Sequence, residues 1–197
     1  MPASARQVTR DDIIPDADHA RRRAERRATL LPIKALRRIA LGPFCTLYFE
    51  SFDTMLFQIQ EMLLTEKGGA AQVEDELAAY NPLIPQGREL VATVMFEIDE
   101  PVRRAAILGG LGGVEDHFFL RIGETRAPGR PEGDIERTRA DGKASSVHFL
   151  RFALTDSDAA AFRDPAVPIL VGCDHPRYGH LAAIGAASRA ELARDLA

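Results

Sequence analysis

The order in which period-two and period-3.6 stretches follow one another constrains this chain more than any single motif. Ser146 to Leu154 is the clearest strand: His148, Leu150, Phe152 and Leu154 share one face, and Arg151 points the other way. Cys45, Leu47 and Phe49 alternate with Phe44, Thr46 and Tyr48, and a tight Gly42-Pro43 connection joins them to Ile39–Leu41. Further strands are predicted from Val94, Phe96 and Ile98, from Phe118, Leu120 and Ile122, over 168–174, and over 180–184. Between them, Ser51 caps a helix with Phe52, Met55, Leu56, Ile59, Met62 and Leu63 on one broad face. A shorter helix carries Val73, Leu77 and Tyr80 and ends at Asn81-Pro82. Helices are also expected from Pro101 to about Leu108, after Asp156, and after Ser188. Strands and helices neither alternate strictly nor segregate. The expected fold is therefore α+β, a mostly antiparallel sheet of about six strands with helices packed on it.

The chain of 197 residues suffices for one domain over 1–197. Its 46 % apolar and 27 % charged residues are a globular balance. No apolar run approaches the roughly 18 residues of a membrane span, and the first residues lack the apolar core of a secretory signal. Two cysteines give no disulfide framework, and a reducing cytoplasm is the expected location. The segment 124–144, rich in Pro, Gly and charge, reads as a mobile loop.

Charge is unevenly spread. Arg21 to Arg38 holds eight basic residues against Glu25 alone, a local +7 that leaves −11 for the rest of a chain whose net charge is −4. Residues 1–32 read as a helical N-terminal arm. Thr9-Arg10-Asp11-Asp12 resembles a capping box, and Pro15 precedes a helix that Pro32 should end. Ala17, Ala20, Ala24, Ala28 and Leu31 form a small-residue stripe, which implies close packing along it. Arg22, Arg26 and Arg27 are candidates for docking a partner. Nucleic acid is the weaker choice, because no aromatics interleave with the basic residues.

The densest chemistry lies in Pro168 to His180, where an apolar run turns into Cys173-Asp174-His175-Pro176-Arg177-Tyr178-Gly179-His180. A hairpin connected through 175–179 would set Asp174 opposite His180. Asp174, His175 and His180 include ligand types a transition metal accepts, but their spacing matches no recognised zinc pattern. The alternative is that they satisfy the backbone of a tight turn. Cys173 is a poor nucleophile, since His175 lies about 6.5–7 Å along the strand and Asp174 disfavours a thiolate. His148 on an apolar face reads first as a satisfied core residue. Arg151, if covered, requires a carboxylate or an anionic ligand. Signatures of a P-loop, a dinucleotide turn, a zincin and a nucleophile elbow are absent.

Five segments, RRIALGP (37–43), FQIQEML (57–63), ELAAYNPLIP (76–85), SSVHFLRF (145–152) and DHPRY (174–178), resemble the bacterial domain-of-unknown-function family 3501. The resemblance implies no established activity and names no cofactor. It singles out Gln58, Glu61, Tyr80, Asn81, His148, Arg151, Asp174, His175 and Tyr178 as candidate site positions, and leaves Cys173 outside the pattern. It also implies a redox or oxidative-stress setting, because such proteins are often encoded near rubrerythrin-like and iron–sulfur proteins. Two functions are thus expected: an accessory protein for such a partner, or a metal- or small-anion-dependent enzyme with a cleft of Asp174, His175, Tyr178, Arg151 and Glu61. Homo-oligomerisation remains open.

Overall fold

Alternation of apolar residues on several strands demands a second apolar surface, and the chain supplies it by curling one sheet around itself. The structure, a computed structural model, describes residues 6–132 and 144–197. Eight strands form one sheet: β1 (Arg38–Leu41), β2 (Cys45–Phe49), β3 (Glu89–Phe96), β4 (Phe118–Ile122), β5 (Thr125–Pro131), β6 (Val147–Ala153), β7 (Ile169–His175) and β8 (Tyr178–Ala183). Their order is β1-β2-β3-β6-β5-β4-β7-β8, with every neighbouring pair antiparallel. The class is α+β as expected, but the sheet has eight strands rather than about six and is nearly a barrel.

The strand hidden from sequence reading is β5, which lies within the segment expected to be a mobile loop. Residues 133–143 of that segment lie outside the described residues. Pro128, Gly129 and Pro131 argue against a central strand because proline cannot donate to a ladder. The register removes the conflict. Thr125–Pro128 pairs with β4, and Gly129–Pro131 pairs with β6, so each half is bonded on one side. Gly129 is also required by packing, since a Cβ there would come within 2.9 Å of the Phe152 ring.

The two edge strands meet through side chains. The Tyr178 hydroxyl donates to the Leu41 carbonyl at 2.7 Å and accepts from the Phe44 amide at 3.4 Å. The His180 ring lies on Gly42, whose φ of +70° and lack of a side chain are both needed there. Inside, Leu41, Leu47, Phe49, Leu90, Val94, Phe118, Leu120, Leu150, Phe152 and Val171 are fully buried in one cluster. Each such side chain contributes roughly 1.5–3 kcal/mol. Phe162 of α5 (Asp156–Arg163) and Leu192 of α6 (Ala186–Leu192) join this cluster, as do Leu108, at the end of α4 (Pro101–Leu108), Leu111 and Val114. A second cluster sits on the outer face of the sheet. There Phe52, Met55, Ile59 and Leu63 of α2 (Phe52–Glu66) and Leu77 of α3 (Gly69–Tyr80) pack around Val91 and Phe149.

Helix α1 (Asp16–Leu36) differs from the expectation in two ways. It runs through Pro32, which is exposed; the helical bond this proline cannot donate leaves a carbonyl on Ala28, and Ala28 is exposed to water. The alanine stripe, with Leu31, also faces solvent. Polar groups hold the helix instead. His19, fully buried, bonds Glu61 Oε1 through Nε2 at 2.9 Å and accepts from Arg26 at Nδ1 at 3.0 Å. Arg23 clamps both Glu61 oxygens at 2.7–2.9 Å. Gln60 bonds both the amide and the carbonyl of Ile14 at 3.1 Å. At the far end Arg37, 2 % exposed, donates to the Phe49 carbonyl at 2.9 Å, the Glu50 carbonyl at 2.8 Å, Glu191 at 3.1 Å, and Asp195.

Three outcomes follow from these bonds. Arg37→Met should cost about 3–5 kcal/mol in denaturant unfolding, because the largely buried Asp195 loses its ion pair, Glu191 keeps only Arg194, and the Phe49 and Glu50 carbonyls lose a donor. Tyr178→Phe should cost about 1–3 kcal/mol by stranding the Leu41 carbonyl, and Tyr48→Phe on the outer face less. The hydrogen bond from Arg23, followed by that from His19, holds the Glu61 carboxyl down at about 2 despite its partial burial. The ordinary carboxylate value is about 4.3, so the clasp contributes its full stability above that pH and loses it as pH falls toward 2. Melting temperature should therefore fall more steeply in that acid range for the wild type than for Glu61→Gln; parallel curves would show that Glu61 is not the charged partner.

Candidate functional site

The β7–β8 register decides what the Pro168–His180 stretch can do. Cys173 pairs with His180, Asp174 with Gly179 and His175 with Tyr178, which leaves Pro176-Arg177 as a two-residue connection. The expected hairpin, with Asp174 opposite His180, is off by one position. A one-residue change of partner matters because alternate side chains lie on opposite faces. Cys173, His175 and Tyr178 are buried on the inner side of the sheet, whereas Asp174 is exposed on the outer side.

Asp174 there meets two residues that sequence reading missed. Its carboxylate lies 2.9 Å from His117 Nδ1 and accepts from Arg126 at 2.6 Å. Arg126 is itself stacked on the Phe119 ring at 3.8 Å. The Arg126 guanidinium, then the His117 ring, hold the Asp174 carboxyl below the usual carboxylate range. The missing signal is tertiary. Phe118 pairs with Cys173 across β4 and β7, so His117 stands one position beyond that pair, beside Asp174.

His175 is 7 % exposed, accepts the Arg177 amide at Nδ1 at 3.2 Å, and bonds the Gly112 backbone. Burial, and then the neighbouring His117 whose ring is edge-on at 5.0 Å, push its pKa down, so the ring is neutral at pH 7. His148 is fully buried, with Nε2 bonded to the Ser145 carbonyl at 2.9 Å, its ring edge-on to Phe96, and Nδ1 3.9 Å from Glu115. The His180 ring meets Tyr178 edge-on, with centroids 4.4 Å apart. Burial pushes the Cys173 thiol up to about 11 and the Cys45 thiol higher still, so neither is a thiolate at neutral pH. Among the described residues no three His, Cys, Asp or Glu side chains gather in the way a metal requires.

The other candidates lie elsewhere. Arg151 finds its carboxylates in Glu89 and Glu132 and also donates to the Pro82 carbonyl at 2.6 Å. Asn81 bonds both the amide and the carbonyl of Val8, at 2.8 and 3.0 Å, in the manner of a strand. Gln58 bonds Tyr80, whose phenol is raised chiefly by burial. Gln58, Tyr80, Asn81 and Arg151 thus lie on the helix-covered side of the sheet. His148 and His175 lie on the inner side near the residues before β4, Tyr178 on β8 is bonded to Leu41, and Asp174 is on the outer side. Glu61 belongs to the α1 clasp. The cleft of Asp174, His175, Tyr178, Arg151 and Glu61 is not assembled.

Of the three docking arginines, Arg26 turns inward to His19 and Gln60, whereas Arg22 and Arg27 are exposed. Beside Arg27 a groove of about 310 Å³ opens between α1 and β2. Arg27, Lys34 and Arg38 stand on its rim, over Leu30, Phe57 and Tyr48. Arg38 lies 5.1 Å from the Tyr48 ring centre and 3.4 Å from Glu97. Among the described residues, the Arg27 and Lys34 side chains have no hydrogen-bond or ion-pair partner. Leu31, 54 % exposed, forms the lip.

A crystal structure of a novel protein of unknown function from Burkholderia pseudomallei is similar to this chain at 36 % identity, with a TM-score of 0.89, over 97 % of this chain and all of that one. No curated protein matches. The family model described as protein of unknown function DUF3501 matches residues 7–196, and the chain belongs to that family.

Proposed function

We propose that this protein acts by binding, as an accessory to a protein partner that docks on the cationic side of α1. The observation that carries this reading is the pair Arg27 and Lys34, held without counter-charge above an open apolar groove. Two unpaired cations seven residues apart on a rigid helix favour an acidic partner and fix its orientation. Most of the polar residues that sequence reading offered for catalysis are engaged in internal bonds. The partner class comes from the family resemblance: a rubrerythrin-like or iron–sulfur protein in the cytoplasm. Co-purification of such a partner from the native host should be lost when Arg27→Glu and Lys34→Glu are combined, while the far-ultraviolet circular dichroism stays that of the wild type. Unchanged co-purification would remove α1 from the docking role.

A second reading, an acid–base enzyme, is favoured by one pair. Asp174 fixes Nδ1 of His117, a half-exposed ring, and so leaves Nε2 directed away from the carboxylate, the arrangement of an oriented general base. Hydrolysis of p-nitrophenyl acetate by the wild type should then exceed that by His117→Gln. Equal rates for the two proteins would sink this reading.

A further inference from the structure

We propose that the groove between α1 and β2 takes an acidic, amphipathic peptide segment, one apolar side chain of which inserts between Leu30 and Phe57 while flanking carboxylates meet Arg27 and Lys34. The inference rests on α1 being the docking face and specifies the chemistry of what docks.

Three properties of the groove select this occupant. Its rim is uniformly cationic and two of the cations lack partners, so the occupant is anionic. Its floor is apolar, with Leu30 7 % exposed beneath a lip formed by the exposed Leu31, so a purely charged occupant would leave apolar surface wet. Its volume of about 310 Å³ stands at the lower end of the roughly 300–1,000 Å³ of ligand pockets. That suits one anchoring side chain of a larger partner, the usual form of an interface hot spot. The third cation, Arg38, is already stacked on Tyr48 and bonded to Glu97, so it shapes the wall more than it offers charge.

The same features disfavour the two other macromolecules that bind basic helices. Single-stranded nucleic acid needs a series of open aromatic faces, and here Tyr48 is covered by Arg38. A membrane surface needs bulky apolar residues on the exposed side of the helix, and the exposed positions of α1 are chiefly charged residues and alanines, with Leu31 and Leu36 its exposed large apolar residues.

Fluorescence anisotropy with the full chain tests the proposal. The probes are a labelled peptide of about twelve residues repeating Glu-Glu-Leu-Phe, a labelled polyglutamate of equal length, phosphatidylglycerol vesicles and single-stranded oligothymidine. The Leu/Phe peptide should bind, weaken with added salt, and lose at least about tenfold in affinity in the Arg27→Glu, Lys34→Glu double variant. Leu31→Asn, a change at an exposed position that leaves the fold intact, should cost about threefold or more. Polyglutamate binding as tightly as the Leu/Phe peptide, tighter variant-sensitive binding of vesicles or oligothymidine, or no peptide binding would each overturn it. The two readings fail separately. If charge reversal releases the native partner but Leu31→Asn changes neither partner nor peptide binding, docking on α1 stands and the apolar anchor falls. If the peptide binds as expected while the native partner ignores charge reversal, the groove stands as a peptide site and the docking reading falls.

Discussion

Arg37 is the interaction on which the rest of the arrangement depends. A guanidinium removed from water must find several acceptors or it destabilises what surrounds it. Here the acceptors come from three separate parts of the chain: the carbonyls of Phe49 and Glu50 at the end of β2, Glu191 in α6, and Asp195 beyond it. The residue itself caps α1. One side chain therefore sets where the basic helix ends, where the first hairpin stops and where the last turns of the chain lie. Burial raises the Asp195 carboxyl even against the pull of Arg37. The groove beside α1 has a defined shape because both ends of that helix are anchored, by Arg37 at one and by the His19–Glu61–Arg23 clasp at the other.

Much of the fold was legible because apolar periodicity reports burial directly. The inward positions of β2, β3, β4 and β6 fall where alternation puts them, and α2 buries the face its 3/4 spacing marks. Other features were hidden for definable reasons. Strand β5 carries prolines that only a strand bonded on one side at a time can hold. The alanine stripe orients helix α1 wrongly, because the side that packs inward is held by His19, Arg26 and Leu30, and a polar residue in sequence does not announce whether it has a partner. Arg151 illustrates the reverse. Its need for a carboxylate was readable from its strand face, and Glu89 and Glu132 meet that need.

The candidate site was less legible, because it depends on register. The spacing alone sets Asp174 opposite His180, one position off, and its real neighbours, His117 from the turn before β4 and Arg126 from β5, lie about fifty residues away in sequence. The densest cluster of reactive side chains is thus mostly architectural. Tyr178 closes the barrel, His175 satisfies its turn, and His180 covers Gly42. The exposed cations of α1, less distinctive as sequence, carry more of the surface open to another molecule.

The divided pairing of β5 has a consequence for how this protein can vary. Thr125–Pro128 is registered against β4 and Gly129–Pro131 against β6, so one peptide link between Pro128 and Gly129 joins the two halves of the barrel. Side-chain replacement along β5 disturbs only local packing. Gain or loss of a single residue there would instead rotate one half of the wall against the other, sending Ala127 or the Phe152-facing position outward and shifting the stagger of all eight strands. The strand behaves as a fixed-length spacer: Gly129 apart, its composition is more negotiable than its residue count.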